Sequence, residues 1–379
     1  MISSQYRGRA IAASLCATAL AVIALAVVVV PDVVQADPVP RPVKVMTRNL
    51  YLGASLTPAI GAGSILELAI AGTQIWNTVV ATDFPERAKV LAYEIADADP
   101  DLIGLQEAAI WRTGPPDGPP MFGGTPAMDV QFDYLQSLLD ELEDIGTPYV
   151  VVVSQEEADI ESITLPFPIT GFDIRLTQRD VILAKKSKVD AGELACTNAQ
   201  GAHYPPEAQL YLPLLGVPVE STRGYVWAYC VVNKRAFRFV NTHLEAFHPV
   251  VRKDQAEFLV TSGPASTNQT VVLVGDLNSD PLGTFPNNWA FNVLLGYDYI
   301  DTWVQVNDDA DGFTSGFNEL VNDPDASGLN HRIDHVMTRA PDYTVTVRTS
   351  RVTGTDGDNR TLDGLWPSDH AGLITTLAP

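Results

Sequence analysis

Basic residues are scarce in this chain of 379 residues. The 24 Lys and Arg residues are outnumbered by 46 Asp and Glu residues, which gives a formal net charge of −22 at pH 7. A field of this sign repels polyanions at long range, so it argues against tight nonspecific binding of nucleic acid driven by counterion release. The charge does not exclude nucleic acid as a partner, because bound divalent cations reverse the sign locally.

Cysteine is also scarce, with three residues in the whole chain. Cys16 lies in an apolar N-terminal stretch, which leaves Cys196 and Cys230 as a pair. In an oxidising compartment these two can form a single disulfide. The alternative is two buried thiols, and both remain open because one sequence does not give the separation of the two side chains in space.

Internal repeats and long linkers are absent from the sequence. No segment recurs at a fixed period, so a solenoid or a propeller is unsupported. No Pro-rich linker is long enough to separate two cores, and the 46% hydrophobic content allows one large core to be buried. Predicted strands interleaved with a few helices favour one layered α/β domain over residues 43–379.

The N-terminus has the pattern of an export signal. Arg7 and Arg9 precede an apolar run over residues 10–30, and residues 34–36, Val-Gln-Ala, resemble a cleavage site. We therefore expect a signal peptide over residues 1–36 and a secreted, extracellular protein. The alternative is an uncleaved membrane anchor, because the run approaches the roughly 20 residues that a spanning helix needs.

Apolar runs rich in β-branched residues predict the strands. They cover residues 43–47, 102–105, 149–153, 180–184, 225–232, 237–240, 270–274 and 335–337. Amphipathic spacing predicts one helix that begins at Pro85 and ends before Asp99, and a second over residues 135–142. Two apolar, Pro-rich stretches, residues 160–172 and 204–219, read as long surface insertions that either cover sheet edges or form a lip for substrate or lipid.

The strongest local motif closes the apolar strand before residue 276. Asp276 and Asn278 are two residues apart, and on an extended segment such residues point to the same side. The acid can polarise a water molecule while the amide donates a hydrogen bond to a phosphoryl oxygen. The alternative is an Asx turn that merely ends the strand.

Two histidines and a carboxylate stand at similar positions. His243 ends another apolar strand, and Asp369 with His370 lies in a turn near the C-terminus. Asp334 begins a further strand, and a carboxylate bonded to an imidazole fixes its tautomer and raises its basicity. Taken singly, each has a structural alternative, such as an ion pair between Asp334 and Arg332.

Two early strands also end in residues with side-chain oxygens that suit Mg²⁺. These residues are Asn49 and Glu107.

The order of these motifs resembles the endonuclease/exonuclease/phosphatase superfamily, which includes pancreatic deoxyribonuclease, abasic-site endonucleases, neutral sphingomyelinases and inositol-polyphosphate 5-phosphatases. The resemblance spans residues 43–377 and rests on six ordered segments. They are Arg48-Asn49, Gln106-Glu107, Thr242-His243, Gly275-Asp276-Leu277-Asn278, Arg332-Ile333-Asp334-His335 and Ser368-Asp369-His370.

The resemblance implies a fold and an activity. The expected fold is a deoxyribonuclease I-like α/β sandwich of four layers, in which two mixed β-sheets pack face to face with helices outside. The implied activity is phosphoester hydrolysis with Mg²⁺ or another divalent cation such as Mn²⁺, on nucleic acid, a phospholipid headgroup or a phosphorylated metabolite. The alternative is a catalytically silent secreted member that binds a phosphorylated ligand. The sequence does not indicate an oligomeric state.

The resemblance also implies residue roles. Metal binding falls to Asn49 and Glu107, with Asp369 close to the cation. The catalytic residues implied are Asp276 and Asn278, which orient water and phosphate, His243, which stabilises phosphoryl charge or assists the leaving group, and His370 held by Asp334. In the central region, Arg179 is either a phosphate clamp or an ordinary ion pair. Thr314 is expected near the scissile phosphate.

Overall fold

The computed structural model describes residues 41–166, 171–283, 287–308 and 310–377. The signal peptide expected over residues 1–36 lies outside these ranges and stays a prediction, as do the domain bounds. Among the described residues, no helix has the length and apolarity needed to cross a membrane.

Sixteen strands and seven helices form within the described ranges. The strands are β1 (Val43–Asn49), β2 (Leu102–Gln106), β3 (Ile110–Gly114), β4 (Asp129–Asp133), β5 (Tyr149–Ile163), β6 (Asp173–Lys185), β7 (Leu194–His203), β8 (Leu210–Leu214), β9 (Val217–Ser221), β10 (Gly224–Val232), β11 (Arg235–His243), β12 (Val271–Asp276), β13 (Ile300–Asp301), β14 (Asp334–Arg339), β15 (Val347–Thr353) and β16 (Gly372–Leu377). The helices are α1 (Thr57–Ile60), α2 (Ile65–Ala81), α3 (Phe84–Ala98), α4 (Tyr134–Asp144), α5 (Lys186–Asp190), α6 (Pro249–Thr261) and α7 (Trp289–Gly296). Every run predicted as a strand overlaps one of these strands.

The strands assemble into two large mixed sheets. The first has the order β15-β16-β1-β2-β6-β3-β4, with β5 paired to β6 off this path. The second has the order β13-β14-β12-β11-β10-β7, and β8 with β9 forms a separate hairpin. Both sheets are mixed, because β1 runs parallel to β2 and β11 runs parallel to β12 while the other neighbours are antiparallel.

Side-chain alternation along the strands builds four layers. On β12, Val272 and Val274 lie in the core between the sheets, whereas Val271 and Leu273 face a second core formed with α6 and α7. Helices α2, α3 and α4 cover the outer face of the first sheet. The expected four-layered α/β sandwich is therefore confirmed.

The two sheets approach closely near the edge at which the strands that carry the predicted site residues end. A Cβ added to Gly104 on β2 would lie 2.5 Å from Val274 Cγ2 and 2.6 Å from Asn241 Oδ1, so a side chain does not fit. Asn241 on β11 donates to the carbonyl of Leu105 (2.9 Å) and accepts from Gln106 Nε2 (2.6 Å). These bonds satisfy a buried amide and link the two sheets.

Helix α3 follows the predicted pattern. Pro85 lies in its first turn, where the missing N–H costs nothing, and Ala88, Leu91 and Ile95 are buried against the first sheet. The helix ends at Asp99, whose φ of 55° is left-handed and closes the last turn.

The two predicted surface insertions have more regular structure than expected. Residues 160–163 of the first stretch continue β5 and pair with β6, and residues 167–170 lie outside the described ranges. The second contains the β8–β9 hairpin, whose Leu214 is buried against Leu68 of α2. Prolines are tolerated there because this hairpin is separate from both large sheets.

Cys196 and Cys230 form a disulfide. They stand directly opposite each other on the antiparallel strands β7 and β10. Of the two alternatives that the sequence left open, the structure shows the disulfide, which ties the edge strand β7 to its neighbour.

Candidate active site

Strand register brings three predicted residues into one row across the second sheet. His243 at the end of β11 pairs with Asp276 at the end of the parallel strand β12. Asp276 in turn pairs with Asp334, the first residue of the antiparallel strand β14. Since carboxyl ends of parallel strands meet at one edge of a sheet, the pairing alone places the three side chains at the same end of the molecule.

The first sheet supplies two more residues at this end. Asn49 closes β1 and pairs with Gln106 on the parallel strand β2, and Glu107 follows immediately. Glu107 has a φ of 55°, a left-handed conformation uncommon for a residue with a side chain, and its Oε2 accepts a hydrogen bond from the amide of Leu52 (2.7 Å). The turn and the bond together hold this carboxylate at the strand end.

The C-terminal turn is fastened to β1. Ser368 Oγ donates to the carbonyl of Asn49 (2.9 Å), and the amide of His370 donates back to Ser368 Oγ (3.1 Å). The buried Arg48 donates to the carbonyl of His370 (2.6 Å) and pairs with Glu94 (2.9 Å). A turn more than 300 residues away in sequence is thus fixed beside the first strand.

Side chains from three elements converge on one carboxylate oxygen, Oδ2 of Asp276. Asn49 Nδ2 donates to it at 3.1 Å, His243 Nε2 lies at 3.4 Å and His370 Nε2 lies at 3.9 Å. Asp276 is 2% exposed, and burial together with the neighbouring Asp334 raises its pKa to about 6. A carboxylate that is buried and ringed by donors in this way is typical of a functional centre.

Asp334 and His370 form a buried dyad. His370 Nδ1 lies 2.8 Å from Asp334 Oδ2, which holds the ring with Nε2 facing Asp276 and Asp369. Burial alone would lower the pKa of His370, but the surrounding carboxylates, led by Asp334, raise it well above its usual range. The surroundings of this imidazole therefore favour its protonated form.

His243 has a different partner. Its Nδ1 lies 2.9 Å from Nη1 of the buried Arg223, and its Nε2 faces Asp276. Burial and the positive charge of Arg223 hold the pKa of His243 well below its usual range. The two imidazoles of the site therefore differ in electrostatic surroundings, although both stand at the same edge.

Glu107 and Asp369 add negative charge on the open side of this cluster. Burial, together with the charge of Glu107 and against the opposing effect of His370, raises the pKa of Asp369 to about 6. Burial likewise raises the pKa of Glu107. The side chain of Asp369 is 28% exposed, so solvent reaches this part of the site.

The donor set fits a divalent cation. The cluster holds four carboxylates, and burial raises the pKa of three of them, Glu107, Asp276 and Asp369. Asp276, Asp334 and His370 also offer ligand atoms within 4.8 Å of one another, and Oδ1 of Asp334 is buried without a hydrogen-bond partner. Carboxylate oxygens are the ligands that hard cations such as Mg²⁺ accept.

Asn278 is placed differently from the sequence expectation. The strand ends at Asp276, and Asn278 follows in a turn with a φ of 48°, because its amide N–H donates to Asp276 Oδ1 (2.9 Å). The Asx turn that the sequence left as an alternative is therefore present. Asn278 Nδ2 donates to the carbonyl of Leu244 (3.0 Å), which orients the amide beside the site.

A model described as the Endonuclease/Exonuclease/phosphatase family matches residues 76–370. The chain belongs to this family. The matched range contains seven of the eight predicted site residues, and Asn49 precedes it. Family membership supports hydrolysis of a phosphoester as the general reaction of the chain. A comparison with curated proteins gives no match.

Solved structures of the Endonuclease/Exonuclease/phosphatase family are similar across most of the chain. A family protein from Bacteroides thetaiotaomicron has 15% identity and a TM-score of 0.54, over 89% of this chain and 98% of that one. A mannosyl-6-phosphatase from B. thetaiotaomicron VPI-5482 has 16% identity and a TM-score of 0.54, over 89% and 100%. Humanized D. rerio TDP2 with 14 mutations has 14% identity and a TM-score of 0.51, over 89% and 99%. At these identities the likeness shows the shared fold.

Two residues named in the sequence analysis have structural partners. Arg179 donates to the carbonyl of Ala108 (2.8 Å) and forms an ion pair with Asp133, so these contacts match an ion pair rather than a phosphate clamp. Thr314 is fully buried, and its hydroxyl accepts from the amides of Ile333 (3.2 Å) and Asp334 (3.1 Å). Thr314 thus supports the start of β14 in this family member.

Sequence reasoning missed two residues of the site. Arg223 lies just before β10 in no recognisable motif, and only the register of β10 with β11 brings it to His243. Ser315 lies next to Thr314, and its hydroxyl is 3.5 Å from His370 Nε2. Ser315 could have been found, because it follows Thr314, which the resemblance placed near the scissile phosphate. Arg223 could not, because it belongs to no motif.

Proposed function

We propose that this chain is a secreted phosphoester hydrolase that requires a divalent cation, Mg²⁺ or Mn²⁺. The observation that carries the proposal is the convergence on Asp276 Oδ2 of Asn49, His243 and His370, from three distant parts of the chain. Such an arrangement can hold a water, a phosphoryl group and a proton donor around a single phosphorus atom.

The cation would be held by Glu107, with Asp369 and the side-chain oxygen of Asn49 beside it. When bound, it supplies charge neutralisation for the phosphoryl oxygens. Asn49 is positioned for this by its neighbours, since its Oδ1 accepts from the amide of Tyr51 (2.9 Å) while its Nδ2 is bonded to Asp276. The remaining lone pair of Oδ1 is the one available to a cation.

Asp276 and Asn278 orient the reacting groups. A water that donates to the Asp276 carboxylate is held for in-line attack, and the Asx turn fixes that carboxylate at the strand end. The Asn278 amide uses one hydrogen on Leu244, which leaves the other for a phosphoryl oxygen.

His370 is the proposed proton donor to the leaving group. Asp334 holds its Nδ1–H, so Nε2 is the atom that exchanges a proton with the reacting groups. Its raised pKa favours the protonated form, which can donate to a departing alkoxide. His243 contributes a hydrogen bond to developing charge on the phosphoryl oxygens.

The substrate is proposed to be a phosphoester of nucleic acid, of a phospholipid headgroup or of a phosphorylated metabolite. The names of similar structures include a mannosyl-6-phosphatase and a D. rerio TDP2 complexed with a single-strand DNA product, so a sugar phosphatase and a DNA complex both occur among proteins of this fold. The net charge of −22 disfavours long-range attraction of polyanions and so weakens the nucleic-acid option.

Secretion is supported by two independent observations. The first is the export-signal pattern of residues 1–36. The second is the disulfide between Cys196 and Cys230, because such bonds persist in oxidising compartments. Residues 43–379 would then form the mature catalytic domain.

Hydrolysis of bis(p-nitrophenyl) phosphate and of p-nitrophenyl phosphate tests the proposed reaction. With Mg²⁺ or Mn²⁺ present, the wild type should release p-nitrophenol, and excess EDTA should abolish the release. Asp276→Asn should lower kcat by about 10²- to 10⁴-fold because the water loses the carboxylate that polarises it. Circular dichroism should show that this variant keeps its fold.

The matched control is Asp129→Asn, because Asp129 is an exposed carboxylate on β4. This variant should retain wild-type turnover. Undiminished turnover in excess chelator would remove the cation from the proposal, and equal rates in Asp276→Asn and the wild type would remove the proposed site.

A further inference from the structure

The two imidazoles of the site are held at Nδ1 by opposite kinds of partner. Asp334, a hydrogen-bond acceptor, holds Nδ1 of His370 at 2.8 Å, whereas Arg223, a donor, lies at 2.9 Å from Nδ1 of His243. We propose that Arg223 is a positioning residue that fixes His243 as the neutral tautomer with its proton on Nε2, so that His243 acts as a permanent hydrogen-bond donor.

The assignment follows from the chemistry of the guanidinium group. Arginine carries five N–H donors and no acceptor, so a hydrogen bond from Arg223 Nη1 requires a lone pair on Nδ1 of His243. A ring with a lone pair on Nδ1 and a neutral charge must carry its proton on Nε2. Protonation of both nitrogens would set an N–H against an N–H in a buried position, which costs the bond and adds like-charge repulsion.

Arg223 is itself locked in place, which makes its effect on the ring a fixed one. Its backbone amide donates to Gln209 Oε1 (2.9 Å), and its carbonyl accepts from Gln209 Nε2 (2.8 Å). Its Nε lies 3.8 Å from Glu245 Oε2, and Arg223 is 6% exposed. These contacts fix the backbone of Arg223 and place its guanidinium between Glu245 and His243, and a guanidinium group offers donors only.

The remaining face of His243 is the one that serves the reaction. Nε2 lies 3.4 Å from Asp276 Oδ2, so the fixed proton points at the carboxylate on which the site converges. The depressed pKa of His243, caused by burial and by Arg223, agrees with a ring that stays neutral. The catalytic half of this inference rests on the proposed function, whereas the tautomer itself does not.

Nitrogen-15 NMR of the imidazole groups in the full chain at pH 7 tests the tautomer without substrate. The His243 signals are assigned by their absence from His243→Gln. In the wild type, Nε2 should show the pyrrole-like shift of a protonated nitrogen and Nδ1 the pyridine-like shift of an acceptor. A protonated Nδ1, or an imidazolium, would overturn the inference.

Two variants test whether Arg223 is the cause. Arg223→Gln replaces an obligate donor by a group that can also accept, so the signals should move toward a mixture of the two tautomers. Arg223→Lys keeps the charge and the donors and should keep Nε2 protonated. An unchanged spectrum in Arg223→Gln would contradict the role of Arg223. If that variant does not fold, Arg223→Met, which removes the donors, should show the same movement toward a mixture, and an unchanged spectrum there would contradict the role equally.

The outcome is separable from that of the proposed function. A wild type with the expected tautomer but without cation-dependent turnover would leave the assignment of His243 standing and remove the proposed reaction. A wild type that hydrolyses phosphoesters while His243 carries its proton on Nδ1 would remove the inference and leave the reaction.

Discussion

At the scale of single residues, Asp276 is the side chain around which the site is built. Its Oδ1 accepts the amide of Asn278, and its Oδ2 faces Asn49, His243 and His370. Burial raises its pKa to about 6, which means that the protein alone compensates its charge poorly. The positive charge of His370 already opposes this shift, and a bound cation would oppose it further.

The unequal surroundings of the two histidines predict unequal tolerance to glutamine, whose Nε2 carries hydrogens but cannot exchange a proton. His243→Gln should keep kcat/KM for bis(p-nitrophenyl) phosphate within about tenfold of the wild type, because a fixed donor survives. His370→Gln should lower it by about 10²- to 10⁴-fold, because proton transfer is lost. His243→Ala, which removes the donor, should fall well below His243→Gln.

Steady-state kinetics of these three variants at pH 7 measure the difference. Equal losses in the two glutamine variants would show that both imidazoles exchange protons, and the distinction drawn from their partners would fail.

The sequence predicted the identity of the site residues better than their partners. His243 stands at the end of a predicted strand and His370 in a predicted turn. Their residue type and their order among the motifs therefore predicted that both belong to the site. Their different roles depend on Arg223 and Asp334, which meet them only after strands pair. Asn278 shows the same limit, since the choice between an extended strand and an Asx turn depends on where β12 ends.

At the scale of elements, the active-site edge depends on how closely the two sheets approach. Gly104 on β2 is the position where any side chain would meet the opposite sheet, within 2.6 Å of both Val274 and Asn241. Asn241 also links the sheets through Gln106, one residue before Glu107. Packing at Gly104 therefore affects the position of Glu107, the predicted metal ligand, as well as the stability of the protein.

Gly104→Ala should destabilise the protein by about 1–3 kcal/mol, because the added methyl forces the sheets apart. Urea unfolding followed by fluorescence measures the change. Gly296→Ala is the matched control, since a Cβ at Gly296 meets no heavy atom within 4 Å and the helix favours alanine. It should be neutral or stabilising by up to about 1 kcal/mol. Equal stability of Gly104→Ala and the wild type would contradict the close approach.

Strands with clear apolar runs and helices with clear end signals could be predicted from the sequence. Helix α2 and the β8–β9 hairpin could not. The strands β1, β2 and β12 and the helix α3 follow from apolar runs and from Pro85 and Asp99. Helix α2 was not predicted, because apolar residues occupy its exposed side as well, including Ile65 and Leu66. The β8–β9 hairpin was hidden by prolines, which weaken a strand pattern even where a two-stranded hairpin accepts them.

At the scale of the whole molecule, the order of six short motifs predicted the architecture where composition could not. Composition allowed a large core and left the domain count open. The structure shows why the order is informative, because residues from Asn49 to His370 reach one edge only when both sheets are complete.

The global charge of the chain and the local charge of the site have the same sign. The chain has a net charge of −22, and the site itself adds clustered carboxylates that would repel a phosphate. In the proposed function, a divalent cation bound at Glu107 would reverse the local sign and make the same site attractive to a phosphoester. The central claim is therefore that the strand-end carboxylates form a cation site.

Calorimetric titration of the chelator-treated protein with Mn²⁺ tests this claim most directly. The wild type and Asp129→Asn should both bind Mn²⁺ saturably, and Glu107→Gln should bind at least about tenfold more weakly. Absence of saturable binding to the wild type, or equal affinity in Glu107→Gln, would contradict the claim.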